Sequence, residues 1–251
     1  MNSGTVKLNV DEVLSFFDER PADSKGHASG LIAVVGEELG SFLLCRHLEV
    51  MHACKSRMFT HEGKPITPTI GTNKGRRLDR WVLTESESEA PRLYQVEIKN
   101  WNAHSKDGKP LKLSADEAEI QQYRIDRWAE HWLEDKCEFR YEEAHKVLLR
   151  MKPPLKADDE NRRLSRLPLI PDERIEPVIC FWWPVHPEGR DESLWFHQFH
   201  LGPINGFRGV WTFSMSNYLR RIRASGAGQI EVTMPILKQR MAWLSRLFEI
   251  C

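Results

Sequence analysis

The chain has 251 residues with 36 basic and 36 acidic side chains, so its net charge is zero and it is not a globally basic nucleic-acid binder. Apolar residues make up 41% and charged residues 29%, which excludes the disordered and membrane classes. The length fits one large α/β domain over residues 1–251. No apolar run approaches the roughly 20 residues of a membrane span, and the first residues lack signal-peptide blocks. We therefore expect a cytoplasmic protein with no membrane partner.

Positive charge is concentrated towards the end of the chain. Between Leu201 and Cys251, seven basic side chains stand against two acidic ones, Glu231 and Glu249. The basic residues are Arg208, Arg220, Arg221, Arg223, Lys238, Arg240 and Arg246. This excess leaves room for a local basic surface on a neutral protein.

The five cysteines are odd in number and have no framework spacing, which predicts reduced thiols rather than disulfides. The nearest approach to a metal-binding box is Cys45, His47, His52 and Cys54. That stretch has a helical pattern, in which Cys45 and His47 point about 160° apart around the axis. We expect ordinary helix packing there rather than a zinc site.

The first half of the chain predicts a helix followed by a hairpin. Residues Leu31 to Ala53 carry apolar side chains at helical spacing, and Glu38 falls on their face. Strand patterns follow at Arg77 to Thr84 and at Leu93 to Trp101, with the acidic turn ESESEAPR between them. A capping box at Ser114 then predicts a helix through about Asp135.

The second half predicts further strands and helices around the same sheet. Residues Lys152 to Pro177 are rich in Pro and charge and predict a long connection. The strand at Pro177 to Val185 has little polar alternation and should be central. The remaining elements are strands at Ala144 to Met151, Leu194 to Leu201 and Gln229 to Thr233, and helices at Met215 to Arg223 and Ile236 to Phe248. The order predicts an α/β fold, a central sheet flanked by helices.

Three charged residues on the hairpin carry the candidate chemistry. The two-residue strand period sends Glu97 and Lys99 to one face and Val96 and Ile98 to the other, which would pack into the core. Carboxylates of Asp79 and Glu97 from neighbouring strands would suit a hard cation such as Mg²⁺. A lysine two residues beyond is placed to hold or deprotonate an attacking water, and such a site suits phosphate-ester hydrolysis.

These residues resemble the motifs of the PD-(D/E)xK, or restriction-endonuclease-like, superfamily. The resemblance covers roughly residues 31–151 and rests on GEELGSFLL, LDRW, VEIKNW and a following helix with QQY. It implies a restriction-endonuclease-like central mixed β-sheet flanked by helices. It also implies a Mg²⁺ or Mn²⁺ site at Asp79, Glu97, Ile98 and Glu38, with Lys99 assisting the nucleophilic water. Leu78 replaces the Pro of the motif and is not a ligand.

The resemblance adds candidates on the two helices that flank the hairpin. A metal-associated acid on the first helix would be Glu38, which helical phase favours, or Glu37, which its position after Gly36 favours. On the helix that follows the hairpin, the resemblance suggests Gln121 or Gln122 together with Tyr123. Each of these residues also has a plain structural interpretation, as a surface acid or a packed side chain.

Nucleic acid, and DNA in the first place, is the partner that this chemistry implies. Trp101 and His104 follow the candidate catalytic strand directly and could touch substrate, or simply pack in their loop. Arg220, Arg221 and Arg223 are candidates for phosphate contact, or for a solvated helix face. Other partners left open are a second copy of the chain and the proteins of a bacterial defence or mobile-element system.

The sequence therefore predicts a metal-dependent nuclease, in the first place a DNA endonuclease, and the resemblance implies 5′-phosphate and 3′-hydroxyl products. Two alternatives remain open. In the first, Glu97 and Lys99 form a solvated ion pair worth at most about 1 kcal/mol, and Asp79 pairs with Arg77 or Arg80. In the second, the chain is a non-catalytic nucleic-acid-binding or assembly subunit that retains the fold.

Overall fold

Two β-sheets and four α-helices of at least nine residues make up most of the part of the chain that the structure describes. The computed structural model describes residues 5–18, 25–59, 79–99, 118, 147–149, 151, 170–181, 193–198 and 202–247. The helices are α1 (Val10–Asp18), α2 (Lys25–His52), α3 (Met215–Ala224) and α4 (Pro235–Leu247). Among these residues no helix is both long enough and apolar enough to cross a bilayer.

The larger sheet has six strands of mixed direction. Its strands are β2 (Lys55–Phe59), β3 (Arg80–Glu85), β4 (Arg92–Lys99), β5 (Ile175–Phe181), β6 (Leu194–Gln198) and β7 (Gly209–Ser214). The spatial order is β2-β3-β4-β5-β7-β6. Strands β4, β5 and β7 run parallel to one another, whereas β2–β3, β3–β4 and β6–β7 are antiparallel pairs. The smaller sheet pairs β1 (Thr5–Asn9) with β8 (Gln229–Thr233) in antiparallel fashion.

The expected mixed α/β architecture is confirmed, and so are most of its described elements. The β3–β4 hairpin is present, α2 covers the predicted first helix, and β8, α3 and α4 lie within two residues of their predicted bounds. Strand β5 is central, between β4 and β7, and Val178, Ile179 and Cys180 are fully buried. An apolar run without alternation is what burial on both faces of a sheet requires.

Two expectations for strands need correction. The strand expected at Ala144 to Met151 is wrong where the structure describes it, because residues 147–149 are helical. Val147, Leu148 and Met151 are buried, Leu149 is exposed, and the Met151 amide donates to the Val147 carbonyl at 3.1 Å. A short apolar run does not separate strand from helix, and here the helical spacing prevails.

The second correction concerns the hairpin. Strand β3 begins at Arg80, so Asp79 lies one residue before the strand rather than within it. Three further elements, β1, α1 and β2, were not expected from the sequence. Strand β2 is short, charged and at the edge of the sheet, with only Phe59 fully buried, so its apolar pattern is weak.

Helix α2 packs closely against the sheet at Gly40. A Cβ atom at this position would lie 2.8 Å from Met215 Sδ and 3.3 Å from Ile98 Cδ1, closer than such atoms normally approach. The missing side chain therefore lets α2 pack directly over Ile98 and the start of α3. This contact places α2 on the sheet face that carries Ile98.

Glu38 of α2 caps the first turn of α4. Its Oε1 accepts the Ile236 amide at 2.8 Å, and its Oε2 accepts the Leu237 amide at 2.9 Å. Helix α4 begins at Pro235 and follows Met234, whose side chain has no oxygen to serve as an N-cap. A carboxylate from another helix therefore satisfies the orphan donors and the positive end of the helix dipole. Glu38 is only 5% exposed.

We expect Glu38→Ala to lower the free energy of unfolding by about 2–4 kcal/mol, because it leaves two amides without their charged acceptor. Glu38→Gln keeps the shape of the side chain and one oxygen acceptor, so it should lower the free energy of unfolding by less than Glu38→Ala does. The matched control is Glu37→Ala, whose half-exposed side chain should contribute less than about 1 kcal/mol. Chemical denaturation measures all three, and equal losses for Glu38→Ala and Glu37→Ala would contradict the capping role.

Candidate metal centre

Asp79 and Glu97 meet where the β3–β4 ladder ends. Arg80 pairs with Val96 as the outermost pair of that ladder, so one step further out position 79 stands opposite position 97. Directly opposed residues of antiparallel strands leave the sheet on the same face. The register therefore sends Glu97 to one face and Arg80 and Val96 to the other, and Asp79 lies one residue before β3 at the open end of the ladder, beside Ile98.

A hydrogen bond holds the Asp79 carboxylate at this end of the hairpin. Its Oδ2 accepts the backbone amide of Ile98 at 2.6 Å. Because β3 begins only at Arg80, no β3 backbone carbonyl faces the Ile98 amide, and the side chain of Asp79 accepts its hydrogen bond instead. Asp79 and Glu97 are both half-buried. A charge-assisted hydrogen bond of this kind fixes the Asp79 carboxylate beside Ile98, the residue that follows Glu97 in β4.

Both carboxylates act on the same buried thiol. Cys180 of β5 stands opposite Ile98 in the β4–β5 ladder. Burial raises the pKa of Cys180 well above its ordinary value, and the negative charges of Asp79 and, more weakly, of Cys45 and Glu97 raise it further. The thiol is therefore protonated at neutral pH and adds no negative charge beneath the two carboxylates.

Lys99 is the last residue of β4 and stands opposite Phe181 of β5. Its side chain lies outside the part of the chain that the structure describes, so the contact expected with a water is not tested. Phe181 is in turn opposite Ser214, the last residue of β7, after which α3 begins. Ligands of α/β sheets bind at the carboxyl ends of parallel strands, and Lys99 lies at that edge.

Comparison with known proteins gives no match: no family model, no curated protein and no solved structure is similar to this chain. Within the described residues, no group of three or more His, Cys, Asp and Glu side chains is arranged to hold a metal ion. The nuclease interpretation therefore rests on the motif residues and on the geometry of the pair Asp79 and Glu97.

The two helix acids have structural partners away from that pair. Both oxygens of Glu38 are used in capping α4, so we leave Glu38 out of the candidate site. Glu37 Oε2 lies 3.7 Å from Arg80 Nη1, on the face opposite to Glu97. The described contacts thus confine the candidate site to the hairpin.

Arg80 is the residue at this site that the sequence analysis did not single out. The sequence analysis considered it only as a salt-bridge partner of Asp79, whereas its Nη1 donates to the Asp79 backbone carbonyl at 2.6 Å. Gln121, Gln122, Tyr123, Trp101 and His104 lie outside the described residues.

The basic residues of α3 occupy the end of that helix. Arg221 and Arg223 are exposed, and Arg223 Nη1 lies 3.8 Å from Asp11 Oδ1. Arg220 is half-buried and already has interactions within the protein. Exposure at Arg221 and Arg223 is compatible with phosphate contact, which remains a prediction.

The four residues considered for zinc are built into the core and its margin. Burial raises the pKa of Cys45 to about 12, and Cys54 donates its thiol proton to the Leu48 carbonyl at 3.5 Å. Cys45 and Cys54 are free thiols, as expected. The ring of His47 packs against Phe213 and Tyr218, with ring centroids 5.5 and 5.3 Å away. These contacts favour helix packing over metal binding.

His47 should make the stability of the protein depend on pH. It is 4% exposed, and burial, followed by the charges of Arg221 and His52, lowers its pKa from 6.5 to about 4. As the pH falls, His47 is therefore protonated near pH 6.5 in the unfolded chain but only near pH 4 in the folded protein.

We expect the free energy of unfolding to fall between these two values of pH, by at most about 3 kcal/mol from His47. His47→Gln should remove that part of the slope in denaturation curves taken from pH 7 to pH 4. The control is His52→Gln, an exposed change on the same helix that should keep most of the slope, because His52 is the smallest of the three causes that lower the pKa of His47. An unchanged slope in His47→Gln would show that other groups cause it.

Proposed function

We propose that this protein is a Mg²⁺-dependent or Mn²⁺-dependent DNA endonuclease with a restriction-endonuclease-like fold. The observation that carries the proposal is the Asp79 carboxylate held on the Ile98 amide at the open end of the β3–β4 ladder, where Glu97 also lies. Carboxylates at the end of a ladder are held by rigid strands, and a ligand can reach them from the open end of the ladder. The mixed sheet and its flanking helices support the assignment at the level of architecture.

The residues at this position suit Mg²⁺. That ion binds through one or two carboxylates and retains several waters, so Asp79 and Glu97 are a sufficient set of acidic ligands. The N–H and C=O of a strand residue face the same edge, so we expect the Ile98 carbonyl to open towards Asp79 as a third oxygen. The chemistry supplied by a bound ion is neutralisation of charge on the phosphate and a more acidic water.

The side chains of the protein would bind the substrate, orient the attacking water and move protons. In the proposed reaction Asp79 and Glu97 would hold the divalent ion beside the reacting phosphodiester, and Lys99 would orient a water for in-line attack on phosphorus. The attacking water loses a proton to solvent as its oxygen bonds to phosphorus, the bond from phosphorus to the 3′ oxygen breaks, and the 3′ oxygen takes up a proton, which leaves a 5′-phosphate and a 3′-hydroxyl. Arg221 and Arg223 would contact phosphates away from the cut and add affinity without sequence preference.

The sharpest test compares cleavage with binding. Lys99→Ala should reduce the rate of DNA cleavage by at least about 10²-fold, because a positioned proton-transfer group contributes in the transition state. Asp79→Ala should abolish metal-dependent cutting. DNA binding should change far less in both, since each cation is one of several phosphate contacts. Plasmid, linear and single-stranded substrates with Mg²⁺, Mn²⁺ or EDTA provide the measurement.

Lys55→Ala is the matched control, because Lys55 is an exposed lysine of the same sheet, beyond the closed end of the hairpin. It should cleave as the unchanged protein does. Thermal unfolding of every variant excludes loss of fold. If the folded protein binds DNA but cuts none of the substrates, the nuclease proposal fails and a non-catalytic binding or assembly subunit takes its place.

A further inference from the structure

We propose that Arg80 is the positioning residue of this site, and that Glu37 influences the site only through Arg80. Arg80 would fix the backbone at Asp79 so that the carboxylate stays on the Ile98 amide. The part of this inference that concerns metal affinity rests on the proposed function. The part that concerns the geometry of Asp79 stands without it.

The contacts of Arg80 converge on the turn into β3. Its Nη1 donates to the Asp79 carbonyl at 2.6 Å and lies 3.7 Å from Glu37 Oε2. The side chain of Arg80 is 12% exposed, whereas that of Glu37 is 54% exposed. One guanidinium nitrogen therefore ties the residue before the strand to α2, and α2 is itself packed on Ile98 through Gly40.

The burial of Arg80 argues against a role in stability alone. Its Nε is buried and has no hydrogen-bond partner within the described part of the chain. An unmatched buried donor on a cation is destabilising, and a long apolar side chain in its place would avoid that loss. The guanidinium is useful at this position because it can hold the Asp79 carbonyl, which an apolar side chain cannot.

The faces of the sheet separate Arg80 from the reacting groups. Arg80 and Val96 point to the face covered by α2, Glu97 points to the other face, and the Asp79 carboxylate lies on the Ile98 amide at the strand edge. Arg80 thus acts through Asp79 rather than on substrate. Glu37 approaches Arg80 from the α2 side, which makes it a partner of the guanidinium and not a metal ligand.

Hydrogen exchange at the Ile98 amide tests the geometry without any metal. Arg80→Met should raise the exchange rate of Ile98 at least about tenfold, towards the rate in Asp79→Ala, because local opening frees this amide. The Tyr94 amide, inside the same ladder, should stay within about twofold. The control Arg57→Met removes an arginine from an exposed ion pair with Glu85, 2.9 Å long, and should change neither amide.

Unchanged exchange at Ile98 in Arg80→Met would overturn the inference, and so would an equal rise at Tyr94, which indicates general loosening. Mn²⁺ titration then tests the link to metal. Arg80→Met should weaken Mn²⁺ binding at least about tenfold, and Glu37→Gln less than about threefold, as for an exposed ion pair. In the Arg80→Met background, Glu37→Gln should have no further effect.

A Glu37→Gln effect above about tenfold that persists without Arg80 would make Glu37 a ligand and overturn its indirect role. A different experimental result would show that the proposed function is wrong. In that case the unchanged protein binds Mn²⁺ no better than Asp79→Ala, while exchange at Ile98 still decides whether Arg80 positions Asp79.

Discussion

The free edge of β4 beyond Val96 is the constraint on which the candidate site depends. Strand β4 is paired with β5 from Leu93 to Lys99, but its pairing with β3 ends at Val96. The Ile98 amide therefore lacks a backbone acceptor from β3, and a buried amide without an acceptor is destabilising. The Asp79 side chain accepts it, and the same hydrogen bond brings one carboxylate to the position opposite Glu97.

Helix α2 supports this edge through three residues within one turn. Gly40 allows contact with Ile98, Glu37 reaches Arg80, and Glu38 caps α4. Each of the two acids thus has a partner in the fold before any metal is considered. An acidic pair on a helix beside a metal motif is therefore weak evidence of ligation, because helix N-termini and arginines compete for the same carboxylates.

Local patterns predicted the hairpin, the central strand β5 and the helices α2, α3 and α4, because each has a regular apolar period or a buried run. The expected meeting of Asp79 and Glu97 stays a prediction, because the β3–β4 register ends at Arg80 and Val96. Long-range partners were beyond prediction: Glu38 and Ile236 are 198 residues apart, and nothing near either one marks the contact. The helix at Val147–Leu149 was mistaken for a strand because four apolar residues fit both periods.

Arg80, which supports the candidate site, and Glu97, which is proposed for its chemistry, lie on opposite faces of the hairpin. Strand alternation sends Arg80 towards α2 and Glu97 away from it, so the sheet itself separates the supporting arginine from a ligand bound at Glu97. Substitutions on the supporting face can alter how firmly Asp79 is held without removing a ligand or a phosphate contact. In the proposed nuclease, metal affinity would follow the stability of this strand end, and it could change independently of the affinity for nucleic acid.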